Sequence, residues 1–526
     1  MAKGLYRVYL YVVTIALLVA GTVAVSILLG VLLNLTRLRG QYGSSPDSAA
    51  ITQTVVLAVV TLIIVAGLGG LHYWLIRRDM ASDPQPGESG VRSFTLNVAE
   101  AIATMVAVIS GAFTLSSFSL DFRNELSYSL ATALGAGGLT LLLEWERLRA
   151  TPSRGAAAVF QRLRIDGLGF ILAFTLVFFI GEAVHQTEML IGQGSGALQC
   201  MVSQVDNPFY SGPYYPPCIT SQLIGQWAAS LLVIGVWLLY LRLGARDRGT
   251  MIRSVFLLLG YAAGVIALVY GGQRLVEYLL RLFTSTADAR PDYINAFDAA
   301  PALVYAAVLL GVYGWRLIAG AQHEPLDLPT TRLTMRAVAG LIFAFPFWIG
   351  AQMILNNLFI RGFPGGPTTD TNWHVAFAMI IAGLAYVPLA LWLGATTRAE
   401  GIKGPRRGFV LALLAAGALA TAGSLATLLY SVVTALLRVP VGDWQSIARN
   451  AGATLIVGLI LGGLYLWISL REGQFTRAPR PAPAPAPEGA PVPALDDVLA
   501  RFQQGGLSQA EAAERIRALA REGALI

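Results

Sequence analysis

Residues 70–78 read Gly-Leu-His-Tyr-Trp-Leu-Ile-Arg-Arg, and they close a long apolar run of the chain. The same ending, a tryptophan followed within six residues by an arginine, closes five later apolar runs. The six tryptophans are Trp74, Trp145, Trp237, Trp315, Trp392 and Trp467. An indole is stable at the headgroup level of a bilayer, and a guanidinium is stable in the water beyond it. The repeated ending therefore predicts six helices that leave a membrane on the same side, with these tryptophans as membrane anchors.

The composition indicates a lipid environment. The chain has 526 residues, of which 55% are hydrophobic and 13% are charged, and its mean hydropathy is +0.62. Soluble domains contain about 25% charged residues, and a helix that spans a bilayer needs roughly 20 mostly apolar residues. We predict an all-α polytopic membrane protein with about twelve transmembrane helices. They are expected near 5–33, 55–77, 93–118, 126–146, 165–186, 220–242, 253–283, 300–318, 335–360, 373–396, 408–437 and 445–470.

The basic residues are distributed unevenly between the loops. Loops after even-numbered helices contain 19 arginines and lysines, and loops after odd-numbered helices contain 8. Because such residues accumulate on the cytoplasmic side, we expect both termini inside, in a bacterial cytoplasmic membrane. Trp373 and Trp392, 19 residues apart, would then mark the two membrane surfaces.

The net charge of +7 has a simple explanation in the same loops. Arginines close to a membrane face anionic lipid headgroups. A nucleic-acid interface would need a basic face with aromatic residues on a soluble domain, and the sequence has none. We therefore expect the lipid bilayer as a partner and no nucleic acid.

The spacing of the six tryptophans indicates an internal repeat. They lie 71, 92, 78, 77 and 75 residues apart, so the predicted repeat unit is a helical hairpin, present six times in tandem. Paired hairpins would form three four-helix membrane units at 1–151, 152–330 and 331–475, the second with an outer loop at 187–219.

A different composition begins after the last membrane helix. Residues 476–494 are a Pro/Ala-rich linker, which is expected to be extended and stiff. Residues 495–526 have the pattern of a short cytosolic helical hairpin: Leu495, Val498, Leu499 and Phe502 share one helix face. Ser508 to Glu511 form a capping box for a second helix. Because so short a hairpin is marginally stable alone, we expect it to bind a protein partner or to self-associate.

Two resemblances follow from these features. The tail, with its Gly505-Gly506-Leu507-Ser508 turn and acidic Glu511, resembles the C-terminal helical hairpin called the SHOCT domain, with Ala513 and Arg517 at usually aromatic and lysine positions. The membrane part, through the ending at 70–78 and its later copies, resembles bacterial multi-pass proteins with domain of unknown function 5671. The second resemblance implies no activity and no functional residues.

Polar residues within membrane helices are costly and are candidates for function. They gather near the predicted outer ends of odd-numbered helices, and the candidate ligand-binding residues among them are Glu182, His185, Arg274, Glu277 and Gln352. One interpretation is a polar vestibule for a small polar or ionic ligand. The other, which we prefer, is a set of interfacial residues that pair with one another, as Arg274 and Glu277 can at i, i+3.

Two other acidic sites have alternative interpretations. Glu182, His185 and Glu188 have the spacing of metal ligands, but four ligands are not present in the sequence, and we predict no metal. Glu100, in the inner third of the third helix, could relay protons, snorkel to the interface or hydrogen-bond to a neighbouring helix; we prefer a structural role.

The only two cysteines, Cys200 and Cys218, lie in the predicted outer loop. Disulfides persist outside the cytoplasm, so the topology predicts a Cys200–Cys218 disulfide. Between them lies a segment rich in proline and tyrosine, which would be either a docking surface or a lid over the helix ends.

The sequence has no P-loop, no CxxC motif and no paired catalytic groups at one membrane depth. We therefore predict no catalytic residue and no cofactor. The preferred hypothesis is a non-enzymatic scaffold or sensor with a partner-binding tail. The alternatives are a secondary transporter of a small polar or ionic solute and, least favoured, an intramembrane enzyme.

Overall fold

The structure, a computed structural model, describes residues 2–39, 48–81, 90–118, 125–148, 156–194, 223–245, 251–284, 299–320, 328–362, 373–436, 444–472, 498 and 509–521. The regular elements within these ranges are helices, and no strand occurs among them. The prediction of an all-α chain is confirmed.

The helices follow one another along the chain as follows. The described residues up to Thr284 form α1 (Ala2–Asn34), α2 (Ser48–Ile64), α3 (Gly70–Ala81), α4 (Gly90–Ser116), α5 (Ser127–Leu148), α6 (Ala156–Gly194), α7 (Leu223–Gly244) and α8 (Met251–Thr284). The later residues form α9 (Ala300–Leu309), α10 (Trp315–Gly320), α11 (Leu328–Gly362), α12 (Trp373–Gly383), α13 (Tyr386–Glu400), α14 (Gly404–Leu436), α15 (Trp444–Arg471) and α16 (Gln509–Arg521). A 3-10 turn at Arg37–Arg39 follows α1, and π turns join α2 to α3 (Val65–Gly69) and α9 to α10 (Leu310–Gly314).

Eleven helical segments of the described chain are long and apolar enough to cross a membrane. The predicted span 126–146 corresponds to α5, which is not among the eleven and has charged residues in its last turns. The chain is therefore a polytopic membrane protein, and its apolar helices contact the bilayer. The number of spans, the six-fold repeat and the three four-helix units stay predictions.

Helix α6 is much longer than its predicted span of 165–186. It has 39 residues and continues to Gly194, so the first part of the predicted outer loop, 187–194, is helical. The prediction ended the helix where polar residues begin, at Gln186. Gln186 and Glu188 are nevertheless buried, because this polar turn packs inside the protein.

Two prolines within helices have different effects. Pro388 follows a break at Leu384–Ala385 between α12 and α13. Proline lacks an N–H, and its ring displaces the carbonyl four residues earlier, which here is the carbonyl of Leu384. Pro346 lies inside α11, which continues without interruption. Of these two positions, only Pro388 therefore has a break of the helix next to it.

Helix α6 forms the centre of the packing. It contacts α4, α7, α8 and α9, and Leu168, Leu172, Leu176 and Phe179 form its buried face. The outer faces of the other helices expose large apolar side chains, as at Leu141 and Leu419. Such faces are stable against lipid, which is as apolar as leucine.

The chain divides into two compact units, Met1–Leu466 and Trp467–Ile526. The second contains the end of α15, where the Arg471 guanidinium lies 5.4 Å from the Trp467 ring centre, and helix α16. Helix α16 confirms the second helix of the predicted tail hairpin. The Pro/Ala-rich linker lies outside the described residues, and of the first tail helix only Val498 is described.

Candidate functional site

Helix α5 ends in three charged residues that form contacts on two sides. Glu144 and Arg147 are three residues apart, so they lie on one helix face, and Arg147 Nε donates to Glu144 Oε2 at 2.8 Å. Glu146 lies on a different face because successive helix positions are rotated by about 100°. The end of α5 therefore presents charges to two different sets of neighbours.

On the first side, four charged residues form an ionic cluster, which we define as Glu100, Glu144, Arg147 and Arg164. Glu100 of α4 is 2% exposed, and its Oε1 accepts a hydrogen bond from Arg164 Nη1 of α6. Arg147 Nε lies 3.7 Å from Glu100 Oε2, and Arg164 Nη1 lies 3.8 Å from Glu144 Oε2. Two carboxylates and two guanidinium groups balance in charge and join α4, α5 and α6.

The burial of this cluster defines its role. Arg164 is 7% exposed, and a buried charge without its partner is strongly destabilising. The hydrogen bond from Arg164 decides between the alternatives for Glu100 in favour of contact with a neighbouring helix. The cluster connects α4, α5 and α6 electrostatically.

On the second side, the Glu146 carboxylate forms ion pairs and a hydrogen bond with residues of α3 and α4. Arg92 Nη2 lies 3.5 Å from Glu146 Oε1, Arg77 Nη2 lies 3.8 Å from Oε2, and the Tyr73 hydroxyl donates to Oε2 at 3.4 Å. A second ion pair lies close to this group, Arg7 Nε with Asp79 Oδ2 at 2.7 Å. These residues connect α1, α3, α4 and α5.

A cavity of about 490 Å³ lies beside Glu146. We call it the α1–α5 cavity; its wall is formed by α1, the first π turn, α3, α4 and α5. Most lining side chains are apolar, and its polar lining includes Tyr11, Tyr73, Arg92 and Glu146. The volume is within the roughly 300–1,000 Å³ range of small-molecule sites.

A second cavity of about 490 Å³ lies between α4, α6 and α8, next to Arg164 of the ionic cluster. Its wall is rich in phenylalanine and also includes Asn97 and Arg164. Asn97 Oδ1 and Arg164 Nε are buried without a hydrogen-bond partner. A third cavity, of about 270 Å³, lies between α11, α14 and α15 and includes Gln352.

The predicted ligand-binding residues form local groups. Glu182 Oε1 accepts from Gln186 Nε2 at 2.8 Å, and His185 Nδ1 lies 3.9 Å from Glu188 Oε2. Glu277 Oε1 lies 2.6 Å from Arg281 Nη2. These contacts are between residues one turn apart on a single helix.

The other two predicted ligand-binding residues are also accounted for. Arg274 Nη1 lies 3.7 Å from Glu277 Oε2, which is the predicted i, i+3 pair. Gln352 lines the third cavity with Trp348 and Thr454. The observed pairs are those of the interfacial interpretation of this set.

Five of the six repeat tryptophans are more than half exposed, and their role as membrane anchors stays a prediction: Trp74, Trp145, Trp315, Trp392 and Trp467. The assignment of Trp237 as an anchor is wrong. Its side chain is fully buried, and its Nε1 donates to the Tyr313 hydroxyl at 3.0 Å. The face of α7 that carries Trp237 packs into the core around α6, so its position in the repeat does not place it against lipid.

Two further predictions concern cysteines and metals. Cys200 and Cys218 lie outside the described residues, and their disulfide stays a prediction. Within the part of the chain that the structure describes, no group of three His, Cys, Asp or Glu side chains has an arrangement that could hold a metal ion.

Sequence reasoning considered Glu100 but missed its partners. Arg147 and Arg164 were counted as loop residues that set the topology, although both contact Glu100. The available signal was the charge itself: Glu144, Glu146 and Arg147 stand inside or next to an apolar segment, where unpaired charges are costly. Which helices they would join required knowledge of the packing.

The fold and the site together define an all-α integral membrane protein in which buried ion pairs join neighbouring helices. Comparison with protein-family models, with curated proteins and with solved structures found no match. The two resemblances described from the sequence stay predictions.

Proposed function

We propose that this integral membrane protein is a non-enzymatic scaffold or sensor in a bacterial cytoplasmic membrane, with a cytosolic tail that binds a protein or self-associates. The observation that carries the proposal is the ionic cluster, in which the buried charges of α4, α5 and α6 pair with one another. Because these charges pair with one another, they hold α4, α5 and α6 together. The folded membrane part can then carry a partner-binding tail.

The cavities support a scaffold or sensor over a transporter. A transporter of a polar solute needs polar groups around a site near the middle of the membrane. The α1–α5 cavity and the two further cavities described above are lined mostly by apolar side chains. The distribution of arginine and lysine over the loops supports cytoplasmic termini, and the tail sequence supports a partner.

The proposal is tested by comparing the full chain with a chain that ends at residue 494. We expect cross-linking in intact membranes to trap a defined complex, either a homo-oligomer or an assembly with one recurrent protein. The shorter chain should insert equally well and lose the complex. Identical cross-linking patterns for the two chains would contradict the role of the tail.

The transporter alternative needs its own measurement. Vesicles that contain the purified full chain should show the same ion and proton flux as empty vesicles. A flux that is lost in Glu277→Gln and kept in the control Gln273→Ala, on the same helix, would contradict the scaffold or sensor proposal. It would indicate a transporter instead.

A further inference from the structure

The second cavity, between α4, α6 and α8, has two unpaired polar atoms in the residues of its wall. Asn97 Oδ1 and Arg164 Nε are buried and have no hydrogen-bond partner among the described residues. Both residues line the cavity, and they are only 4% and 7% exposed. A buried polar atom without a partner is costly, so an occupant that forms hydrogen bonds with both atoms would stabilise the protein.

The two unpaired atoms have opposite roles in a hydrogen bond. Asn97 Nδ2 donates to the Ser93 carbonyl oxygen at 2.7 Å and to Ser93 Oγ at 3.1 Å. Because a carbonyl oxygen only accepts, this contact fixes the orientation of the amide and leaves Oδ1 as an acceptor. Arg164 Nε carries a hydrogen and only donates. The two residues therefore offer one acceptor and one donor.

The amide and the guanidinium belong to one region of the wall. Asn97 lies three residues before Glu100 on α4, so their side chains share a helix face, and Glu100 Oε1 accepts a hydrogen bond from Arg164 Nη1. The ionic cluster contributes no net charge here, because its two carboxylates and two guanidinium groups balance. A neutral group that both donates and accepts fits this region, and a hydroxyl is the smallest such group.

Phenylalanine side chains form much of the remaining wall. Phe94 and Phe160 meet edge to face with ring centres 5.2 Å apart, and the ring centres of Phe170 and Phe256 are 5.8 Å apart. All four residues line the cavity. Aromatic rings associate favourably with one another edge to face or in offset stacks. The wall therefore favours a ligand whose apolar part contains an aromatic ring.

The cavity opens at an apolar surface of the protein. Phe94 and Ile102 line it, and they are 49% and 58% exposed. Exposed apolar faces of these helices are stable against lipid. A ligand dissolved in the bilayer can therefore enter the cavity directly.

We propose that the second cavity binds a membrane-soluble phenol, with its ring among the phenylalanines and its hydroxyl between Asn97 Oδ1 and Arg164 Nε. In this arrangement the hydroxyl donates to the asparagine and accepts from the arginine. This site goes beyond the scaffold or sensor role and does not rest on it. The cross-linking test of the tail and the binding test below therefore fail independently.

Three ligands with the same octyl chain test the hydroxyl. The ring substituent of 4-octylphenol donates and accepts, that of 4-octylanisole only accepts, and octylbenzene has none. Each competes with tritiated 4-octylphenol for the purified full chain in phosphatidylcholine nanodiscs, with empty nanodiscs as the background. We expect saturable binding of 4-octylphenol, about tenfold weaker binding of 4-octylanisole, because Asn97 Oδ1 then stays unpaired, and still weaker binding of octylbenzene.

Two results with the wild type would overturn the proposal. One is equal displacement by all three ligands, which would mean that the cavity recognises only apolar surface. The other is no saturable binding above empty nanodiscs, which is expected if the two polar atoms bind water alone.

Asn97→Leu tests the acceptor, because it removes Oδ1 with little change in side-chain volume. It should weaken the binding of 4-octylphenol about tenfold and leave that of 4-octylanisole unchanged. General damage to the fold would weaken both ligands alike, and partition into the lipid is the same for both proteins. An unchanged affinity for 4-octylphenol would contradict the proposed hydrogen bond.

A glycine in the wall allows the cavity to be filled. A Cβ built on Gly167, which lines the cavity, lies 3.6 Å from Phe256 Cζ, so Gly167→Leu places its side chain beside that ring and should abolish saturable binding. Gly181 is the matched control on α6: its Cβ would lie 3.9 Å from Pro301 Cβ, and it lines none of the three cavities described. Gly181→Leu should bind 4-octylphenol as the wild type does. Wild-type affinity in Gly167→Leu would overturn the proposal, whether or not Asn97→Leu folds.

Discussion

At the scale of single residues, Glu100 has the largest expected effect on stability. Glu100→Gln leaves the buried Arg164 with reduced charge compensation, and breaking a buried ion pair costs about 3–5 kcal/mol. We expect the midpoint of thermal unfolding in detergent to fall accordingly. Arg281→Gln removes a pair in which the arginine side chain is 44% exposed, and Glu277 keeps Arg274 as a partner, so it should cost about 0–1 kcal/mol.

A double variant separates the ion pair from other effects. Glu100→Leu with Arg164→Met replaces both charges by apolar side chains, and such exchanges are often neutral or stabilising. The double variant should therefore be more stable than Glu100→Gln alone. If it is less stable, the cluster contributes through more than this one pair.

Trp237 and Trp315 provide a second test at this scale. They occupy equivalent positions in the repeat, but Trp237 is buried against Tyr313 and Trp315 is 63% exposed. Trp237→Phe removes the hydrogen bond to the Tyr313 hydroxyl and should lower stability by about 1–3 kcal/mol. Trp315→Phe should leave the unfolding midpoint in detergent nearly unchanged. Equal effects would contradict the correction made for Trp237.

At the scale of helices, the sequence predicted most elements because each is a long apolar run. The predicted helix at 165–186, which corresponds to α6, was too short because Gln186 and Glu188 look like loop residues. Only the packing shows that these two residues are buried. The ionic cluster was missed for the same reason. Glu100 and Arg164 are 64 residues apart, and the neighbours of a helix are not encoded in its own periodicity.

The contact between α14 and α15 gives a prediction at the helix scale. A Cβ built on Gly417 would lie 2.6 Å from Gly462 Cα, so the two backbones pack closely, as small residues allow in membranes. Gly417→Leu should separate the helices and lower the unfolding temperature. Gly423→Leu, where a Cβ meets no atom within 4 Å on the same helix, is the control and should have a much smaller effect.

At the scale of the whole molecule, the predicted topology can be tested together with the predicted disulfide. Cys200 and Cys218 are the only cysteines of the chain, and the arginine and lysine distribution puts their loop on the outer side. In intact cells a membrane-impermeant maleimide should label neither thiol before reduction and both after reduction, because an outer pair is oxidised. Single Cys200→Ser and Cys218→Ser variants should each expose one thiol that reacts without reduction. Labelling that requires permeabilised cells would place the loop inside, and it would invert the termini as well.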